Sequence, residues 1–375
     1  MLKQLSLTNW KSFGPEGPAN PPLQFAPLTL LVGPNASGKS NALDALRFLQ
    51  GAALFSLGDV LRGHSEAGVE IWPPIRGGVV EAAHAGTDTF TLGARWEVPS
   101  GHVRHRIVVS TEGEVTASDD SIDLESGGHA GIARDSHSPW SRLARVRNDP
   151  PPPADLAFAD EVGRELREAV FLDIRPSLMR AYRPLNGGHL GTSGENVSPV
   201  LAALPEDKLA DVVDWLSELC GPEIACLEFD VTKLREVMMI LVERGGRKIS
   251  ARSVSDGTLR FLGLVVALLT APTGALLVIE EPDVGLHPSR IRLLAELLEN
   301  LTRKRHIQVI ATTHSATLLA HLSPESLANV VAFGRDADTG DTHCRRLGEL
   351  PHFETLRDSK NIEQLISTGW LERAL

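Results

Sequence analysis

One short apolar run is followed directly by residues whose types and spacing suit a chemical role. The run L-T-L-L-V, residues 28–32, opens into G-P-N-A-S-G-K-S. In this pattern the glycines let backbone amides converge on phosphate oxygens, the lysine places a cation at the β- and γ-phosphates, and the last hydroxyl is a ligand for Mg²⁺. We therefore predict a nucleotide-binding phosphate loop made of Gly33, Pro34, Asn35, Ala36, Ser37, Gly38, Lys39, Ser40 and Asn41.

The segment after this loop is expected to be helical. We predict a helix from Ser40 to about Gln50, whose positive N-terminal end would point at the bound phosphates. A glycine turn that only caps an ordinary helix is the alternative interpretation of the same residues.

Two adjacent carboxylates follow a second apolar run. The run L-L-V-I, residues 276–279, ends at Glu280, Glu281 and Pro282. Ligands of open α/β sheets gather at the carboxyl ends of strands. We expect Glu280 to hold Mg²⁺ through water, and Glu281 to orient and deprotonate the water that attacks the γ-phosphate. A solvated acidic turn is the alternative.

A histidine occupies a similar position further along the chain. His314 follows the predicted strand 307–311 in the segment A-T-T-H-S. From there it could hydrogen-bond the γ-phosphate or the attacking water. An isolated histidine after a strand is also a common structural residue, and only the other motifs favour catalysis.

A serine-rich turn precedes a predicted helix at 258–269. Its residues Ser255, Asp256 and Gly257 lie in S-V-S-D-G-T. Such a turn is an anion-binding site at a helix start, or simply the N-cap of that helix. The sequence leaves both roles open.

The elements that must position these motifs are predicted from hydrophobic periodicity. Alternation predicts a strand at residues 2–7 and an antiparallel hairpin with strands 89–98 and 103–110. The polar segment 116–153 ends in four prolines, Pro150 to Pro153, where we place a subdomain boundary. Val162, Leu166 and Val170 predict one amphipathic helix. Leu209, Val212, Val213, Leu216 and Leu219 predict another.

The C-terminal half is expected to contain a parallel sheet. We predict a hairpin at 237–251, turning at Gly245-Gly246, after a strand at 224–229. The segments that follow alternate between helix and buried strand, in the order 258–269, 275–279, 288–301 and 307–311. This alternation is typical of parallel sheets.

Composition restricts the partners and the compartment. The 375 residues carry 37 Lys plus Arg against 48 Asp plus Glu, a net charge of −11, so any DNA contact must be focal. Three cysteines without a C-x-x-C pair favour the reducing cytoplasm. The longest apolar stretch, 261–271, is shorter than the ~18 residues of a membrane span, and the chain begins without a hydrophobic signal core. We expect a cytoplasmic protein with no membrane partner.

The motifs together carry a family resemblance. The segments G-P-N-A-S-G-K-S-N, V-S-D-G-T, V-I-E-E-P-D-V-G-L-H-P and A-T-T-H-S resemble the phosphate loop, signature, Walker B with D-loop, and switch histidine of ABC-type ATPases. The opening L-K-Q-L-S-L-T-N-W-K-S-F-G is similar to RecF and SMC heads. The chain is most similar to compact RecF-like AAA family ATPases, which lack a long coiled coil and a Toprim domain.

This resemblance implies a fold and a domain order. We expect an α/β P-loop NTPase of the ABC-ATPase head type: a mixed sheet flanked by helices, a small antiparallel β subdomain and an inserted helical lobe. A single head would span 1–375. Residues 1–149 would form the N-terminal part of the nucleotide-binding lobe, 150–257 the helical and signature lobe, and 258–375 the C-terminal part with Walker B and the switch.

The resemblance also implies an ATP-dependent homodimer. ATP and Mg²⁺ would lie between the phosphate loop of one copy and Ser255, Asp256 and Gly257 of the other, and the D-loop, residues 283–287, would cross between copies. Two departures from the family pattern stand out: Glu280 replaces the usual aspartate, and no glutamine stands where the Q-loop is expected.

Three functions remain open at the level of sequence. The first is an ATP-hydrolysing head in DNA repair, DNA maintenance or phage defence, acting with a separate effector protein. Its DNA contacts would come from basic clusters at Arg142-Arg145-Arg147, Arg244-Arg247-Lys248 and Arg303-Lys304-Arg305. The last cluster lies at a predicted helix end, where cations interact favourably with the helix dipole, and this structural role is the favoured interpretation there. The second is the energising subunit of a membrane transporter, in which Trp10 or Phe13 would stack on adenine. The third is a slow regulatory nucleotide switch.

Overall fold

The fold is that of a computed structural model, in which residues 1–17, 20–126, 137–148, 157–220, 224–351 and 353 are described. Its strands are β1 (Leu2–Thr8), β2 (Leu23–Gln24), β3 (Leu28–Val32), β4 (His64–Glu66), β5 (Val69–Trp72), β6 (Thr89–Val98), β7 (Gly101–Ser110), β8 (Thr116–Leu124), β9 (Val170–Leu172), β10 (Arg183–Pro184), β11 (Ile224–Val231), β12 (Glu236–Glu243), β13 (Lys248–Ser250), β14 (Leu276–Ile279), β15 (Gln308–Thr313), β16 (Val331–Arg335) and β17 (Thr342–Arg346). Its helices are α1 (Lys39–Ala52), α2 (Leu57–Arg62), α3 (Arg142–Asn148), α4 (Ala157–Arg167), α5 (Pro176–Met179), α6 (Val197–Ala202), α7 (Glu206–Cys220), α8 (Asp256–Thr270), α9 (Pro288–Arg305), α10 (Ala316–Ala320) and α11 (Pro324–Ala328).

The described chain divides into two compact units. The first contains Met1–Ala169 and the described residues from Ala328 onward, and the second contains Val170–Leu327. These limits differ from the predicted lobes 1–149, 150–257 and 258–375, which stay a prediction. The predicted boundary at Pro150 to Pro153 lies outside the described residues.

An antiparallel sheet forms one part of the first unit. Its strand order is β2-β1-β6-β7-β8, and β6 pairs with β7 from Val98↔Gly101 to Thr89↔Ser110, as the alternating pattern predicted. The prediction missed β8, because the segment was interpreted as polar and irregular. Its inward polar side chain, Asp120, is buried but bonded to His105 and to the backbone of Arg142, so a polar strand is stable there.

The buried face of this sheet packs on α1 through aromatic rings. Trp10, Phe48 and Phe90 are each at most 1% exposed, with ring centroids 4.8–5.7 Å apart. Edge-to-face pairs at these distances stabilise a core beyond their area. This cluster fixes α1, and therefore the loop before it, against the sheet.

The strand that leads into the phosphate loop has its own neighbours in the first unit. All five residues of β3 are buried, and β3 pairs in parallel with β16 at Leu31↔Val331. β16 in turn pairs with β17 in an antiparallel hairpin. Neither β16 nor β17 was predicted.

A parallel sheet segment organises the second unit. β14 lies between β9 and β15, with Ile279 opposite Leu172 on one side and Ala311 on the other. The predicted parallel arrangement is confirmed, with strand limits shifted by one or two residues. The helices α8 and α9 also match their predictions, although α9 continues to Arg305.

One residue assigned to a helix lies in a strand. Val162 and Leu166 are buried on α4 as predicted, but α4 ends at Arg167 and Val170 begins β9. The spacing prediction was wrong there because Val170 pairs with Leu277 of the buried strand β14. Tertiary pairing overrides a helical spacing that only three residues define.

The predicted helical lobe also contains a second antiparallel sheet. β12 pairs with β10, β11 and β13, and the hairpin β12–β13 turns at Gly245-Gly246 as predicted. The amphipathic helix α7 buries Val212, Leu216 and Leu219. Among the described helices, none has the length and hydrophobicity needed to cross a bilayer.

The position of β17 in the core can be tested by thiol alkylation. Burial raises the pKa of the Cys344 thiol to about 12, so it should stay protonated and unmodified by iodoacetamide at pH 8.5. Cys226 on β11 is exposed and should be alkylated within minutes. Mass spectrometry of the native and the urea-unfolded protein makes the comparison. Alkylation of native Cys344 as fast as Cys226 would contradict the fold.

Candidate functional site

The phosphate loop adopts backbone angles that few residues accept. Gly38 has φ 102°, and Ala36 has φ 61°. A Cβ on Gly38 would lie 2.2 Å from Thr342 Oγ1, and one on Gly33 would lie 2.3 Å from the carbonyl oxygen of Phe333. Both glycines are therefore required by close approach of β16 and β17 as well as by backbone angle.

A chain of hydrogen bonds through Thr342 and Ser12 supports the phosphate loop. Thr342 Oγ1 donates to the carbonyl of Ser37 at 3.0 Å and lies 2.7 Å from Ser12 Oγ. Ser12 Oγ accepts from Asn41 Nδ2 at 2.7 Å. Sequence reasoning named Asn41 as a site residue but missed Ser12 and Thr342, because Thr342 lies 305 residues beyond Ser37.

Two side chains of the loop fit a triphosphate. Ser37 Oγ is buried and has no hydrogen-bond partner in the part of the chain that the structure describes. Lys39 is 6% exposed, and its Nζ donates to the carbonyls of Gly33 and Pro34 at 2.7 Å each. A lysine curled over its own loop in this way can transfer these bonds to phosphate oxygens. Pro34, Asn35 and Ala36 are exposed, and Ser40 is half-buried at the start of α1.

Trp10 and Phe13 are structural residues. Trp10 is fully buried, and its Nε1 donates to the carbonyl of Asn41 at 2.8 Å, while Phe13 is 1% exposed. The idea that either ring stacks on adenine is therefore not supported, because both are committed to the core. Gln50 is also structural, since its buried Nε2 donates to the carbonyl of Ala169 at 2.6 Å.

The second unit brings the acidic pair and the histidine together. Glu281 Oε1 lies 3.5 Å from His314 Nε2, and the backbone amide of Glu281 donates to Thr312 Oγ1 at 3.1 Å. The parallel register of β14 with β15 brings Glu281 close to His314. Both side chains are more than a third exposed, so water reaches them.

Glu281 has an unusual backbone. Its φ is 45°, in the left-handed region that non-glycine residues rarely adopt. Strain of this kind costs about 1–3 kcal/mol and clusters at functional sites. The chain bends at Glu280, directly after β14.

Glu280 lies beside the ion pair of Asp173 and Arg175, which the sequence analysis did not identify. The amide of Glu280 donates to the carbonyl of Leu172 at 3.0 Å, so Asp173 follows β9 at the same sheet edge. Arg175 binds the Asp173 carboxylate through Nε at 2.9 Å and Nη2 at 2.7 Å. These bonds, and the charge of Glu280, raise the pKa of the Arg175 guanidinium. The sequence signal was the short segment L-D-I-R directly after an apolar run.

The D-loop begins with a desolvated carboxylate. Asp283 Oδ1 is buried and has no hydrogen-bond partner among the residues that the structure describes. Burial raises the pKa of Asp283, although Thr313 bonds the carboxylate. Raising the pKa of a carboxyl group favours its protonated form, so this desolvation works against the charge at neutral pH.

The signature turn caps α8. Ser255 Oγ accepts from the amide of Thr258 at 3.1 Å, as an N-cap does, and the Ser255 side chain remains exposed. Asp256 is exposed and paired with Arg180. A Cβ on Gly257 would lie 2.5 Å from the carbonyl oxygen of Gly285, so the turn lies directly against the D-loop.

The three basic clusters differ in what their side chains do. Arg142 is buried and bonds Asp120, so its assignment to a DNA surface was wrong. Arg305 donates to the carbonyl of Ala271. Arg147 lies outside the residues whose side chains are described. Arg244 and Arg247 are exposed at the tip of the β12–β13 hairpin and have no ion-pair partner among the described residues.

Comparison with known proteins identifies the family. Residues 28–320, most of the chain, match the family described as "AAA domain, putative AbiEii toxin, Type IV TA system". The chain belongs to this family. Over 134 residues it is also 32% identical to the chromosome partition protein Smc of Rhodopirellula baltica, a stretch that covers 33% of this chain and 10% of that protein. The chain therefore spans about a tenth of this relative's length.

Solved structures establish the fold of this AAA family member. The SMC head domain from Thermotoga maritima matches with a TM-score of 0.51 at 17% identity, over 92% of this chain and 98% of that one. The SmcHead bound to the C-winged helix domain of ScpA matches with a TM-score of 0.56 at 14% identity, over 93% and 99%. The predicted α/β fold of the SMC-head type is thereby confirmed.

The donor set fits Mg²⁺ held partly by nucleotide. Among the described residues, no group of three or more His, Cys, Asp or Glu side chains could hold a metal ion. Magnesium in phosphoryl-transfer sites takes one or two protein ligands and completes its shell with phosphate oxygens and water. The Ser40 hydroxyl and the Glu280 carboxylate are of the types that such a shell uses, and their role as ligands stays a prediction.

The close approach of Thr342 to the phosphate loop gives a test. Gly38→Ala should weaken binding of a fluorescent ATP analogue by roughly 10- to 100-fold, since about 1–3 kcal/mol of strain would distort the loop. Gly188→Ala is the matched control, because a Cβ there meets nothing within 4 Å. Equal affinity of the two variants for the analogue would disprove the packing of Thr342 under the loop.

Proposed function

We propose that this AAA family member binds Mg²⁺-ATP and hydrolyses it with Glu281 as the general base. The observation that carries the proposal is the Glu281–His314 pair, 3.5 Å apart at the carboxyl end of a buried parallel sheet. A general base must lie within reach of the water that it deprotonates, and the histidine can hold that water or a γ-phosphate oxygen.

Each remaining motif residue has a role in this proposal. Lys39 exchanges its loop carbonyls for β- and γ-phosphate oxygens, and backbone amides of the loop contact the phosphates. Ser40 and Glu280 hold the metal ion, Glu280 through water. When bound, Mg²⁺ neutralises the charge that develops on the phosphate oxygens.

We further propose that two copies close around ATP as a homodimer. The exposed Ser255 and Asp256 of one copy, together with the half-buried Gly257, would contact the nucleotide held by the phosphate loop of the other. Exposure of Ser255, in a turn that is otherwise well bonded, supports this role. A two-copy arrangement of this kind is isologous and closes on itself.

The biological role is proposed to be phage defence with a separate effector protein, ahead of DNA repair. The family description names an AbiEii toxin and a type IV toxin–antitoxin system, which favours defence. One similar head is solved with the C-winged helix domain of ScpA, which supports a partner protein for this head as well. The buried positions of Trp10 and Phe13 remove the feature that favoured a transporter subunit. A slow regulatory switch remains the alternative, and it predicts little turnover.

We propose that DNA, where it is bound, contacts the tip of the β12–β13 hairpin. Arg244 and Arg247 flank the Gly245-Gly246 turn there and are exposed without an ion-pair partner among the described residues. In a chain of net charge −11, cations left unpaired on a protruding turn are suited to phosphate contacts.

Substitution of the base separates binding from hydrolysis. Glu281→Gln should keep ATP affinity within about twofold and reduce turnover by about 10²- to 10⁴-fold, because the amide cannot accept the proton. ATP-bound dimers should then accumulate in light scattering. Steady-state phosphate release and nucleotide titration measure the two effects.

Two variants control this experiment. Glu296→Gln removes an exposed carboxylate on α9 and should behave like the wild type. Lys39→Ala should lose ATP binding itself. Wild-type turnover by Glu281→Gln would show that another group is the base, and turnover near zero in the wild type would favour the regulatory switch.

The DNA proposal is tested through salt dependence. Replacing both Arg244 and Arg247 with Ala should lower the slope of log affinity against log salt by about 2, since each phosphate contact contributes about 0.9. Arg292→Ala removes a paired arginine on α9 and should leave the slope unchanged. Wild-type affinity for duplex DNA that does not vary with salt would rule out phosphate contacts.

A further inference from the structure

Arg180 lies directly after α5, and its guanidinium binds the signature turn. Nη1 donates to the carbonyl of Ala251 at 3.0 Å and to that of Val254 at 2.7 Å. Nη2 forms an ion pair with the carboxylate of Asp256. One planar group therefore holds the chain on both sides of Ser255.

The segment that carries Arg180 is itself fixed on α8. A Cβ on Gly263, in the middle of α8, would lie 3.1 Å from Ile174 and 3.4 Å from Met179. Ile174 is 2% exposed and Met179 is fully buried. Because this close packing holds α5 in place, little backbone entropy opposes the three contacts of Arg180.

The other side of the signature turn is also restrained. Gly257 packs on the carbonyl of Gly285 in the D-loop. The turn is therefore held between the D-loop and the guanidinium of Arg180. Of these two restraints, only Arg180 contacts the residues before Ser255. The other bonds there are backbone bonds, from the Ala251 amide to Met239 at 3.1 Å and from the Ser253 amide to Ser250 at 2.9 Å, so loss of Arg180 would loosen this half of the turn.

We infer that Arg180 is a positioning residue for ATP-dependent dimerisation: its three bonds present Ser255 in the geometry that the partner's triphosphate needs. The inference rests on the proposed homodimer. It assigns no contact between Arg180 and nucleotide, because the guanidinium is used by the turn. The same segment, 172–180, begins beside Glu280 and ends at the signature turn, so it links the two motifs within one unit.

The geometry demands arginine. Three acceptors lie around the group, two carbonyls on Nη1 and a carboxylate on Nη2. A lysine ammonium is a single point charge on a flexible stem and cannot reproduce this planar arrangement. Arg180→Lys should therefore recover only part of what Arg180→Gln loses.

The test uses the full chain and two readouts. In the nucleotide-free protein, Arg180→Gln should speed amide hydrogen exchange of residues 251–258 by about tenfold or more. In a Glu281→Gln background, which stops hydrolysis, the protein concentration for half-maximal ATP-dependent dimerisation should rise by at least about tenfold. The ATP affinity of the monomer, measured at low protein concentration, should stay unchanged. The reason is that the Arg180 guanidinium binds the signature turn and not the nucleotide.

Two comparison variants complete the design. Arg292→Gln removes an exposed, ion-paired arginine of the same unit and should change neither readout. Ser255→Arg should block ATP-dependent dimerisation, and it therefore gives the upper limit for the effect of any Arg180 variant on that readout.

The outcomes separate the inference from the proposal beneath it. Unchanged exchange in Arg180→Gln, or dimerisation equal to that of Arg292→Gln, overturns the inference. Weaker ATP binding by isolated Arg180→Gln protomers also overturns it, since Arg180 would then act on the nucleotide. If the protein without substitution at Arg180 stays monomeric with ATP, the proposed homodimer fails, and the exchange measurement still decides whether Arg180 holds the turn.

Discussion

The parallel pairing of β14 with β9 and β15 is the constraint on which the positions of Glu280, Glu281 and His314 depend. All four residues of β14 are buried, and the ladder sets Ile279 opposite Leu172 and Ala311. A slip of one residue would turn each buried side chain to the other face, so the register is strongly determined. That register alone brings the Glu280 backbone beside Asp173 and the Glu281 side chain to His314.

The phosphate loop depends on a different kind of restraint. Its glycines allow the loop to form, but its position is set by Thr342, which donates to the Ser37 carbonyl and leaves no room for a side chain at Gly38. The carbonyls of the loop have partners in the same arrangement. β17 supplies one through Thr342, which donates to Ser37. Lys39 donates to the carbonyls of Gly33 and Pro34, the two bonds that it gives up to phosphate in the proposed mechanism.

The sequence predicted the elements whose signals are local. The phosphate loop, the β6–β7 hairpin and the strand–helix alternation around β14 all followed from patterns within about twenty residues. β8 and β9 could not be predicted in this way, because both depend on contacts that are distant in sequence. In β8 the buried Asp120 is stabilised by His105, and in β9 Val170 pairs with Leu277. The site divides in the same way. Its motif residues were named in advance, whereas Thr342, Asp173 and Arg180 were not, since each acts on a motif distant in sequence.

The two interpretations of Ser255 are compatible in physical terms. A serine hydroxyl has one donor and two acceptor positions. As N-cap, Ser255 uses an acceptor position for the Thr258 amide, and its hydroxyl lies 2.8 Å from Thr258 Oγ1. If Thr258 donates in that contact, the Ser255 O–H remains available for a phosphate oxygen from outside. The cap fixes the orientation of the hydroxyl, and its exposure leaves the remaining donor accessible. The structural role is therefore the reason why the same serine is suited to an anion, and a residue without the cap would have to be ordered at the cost of binding energy.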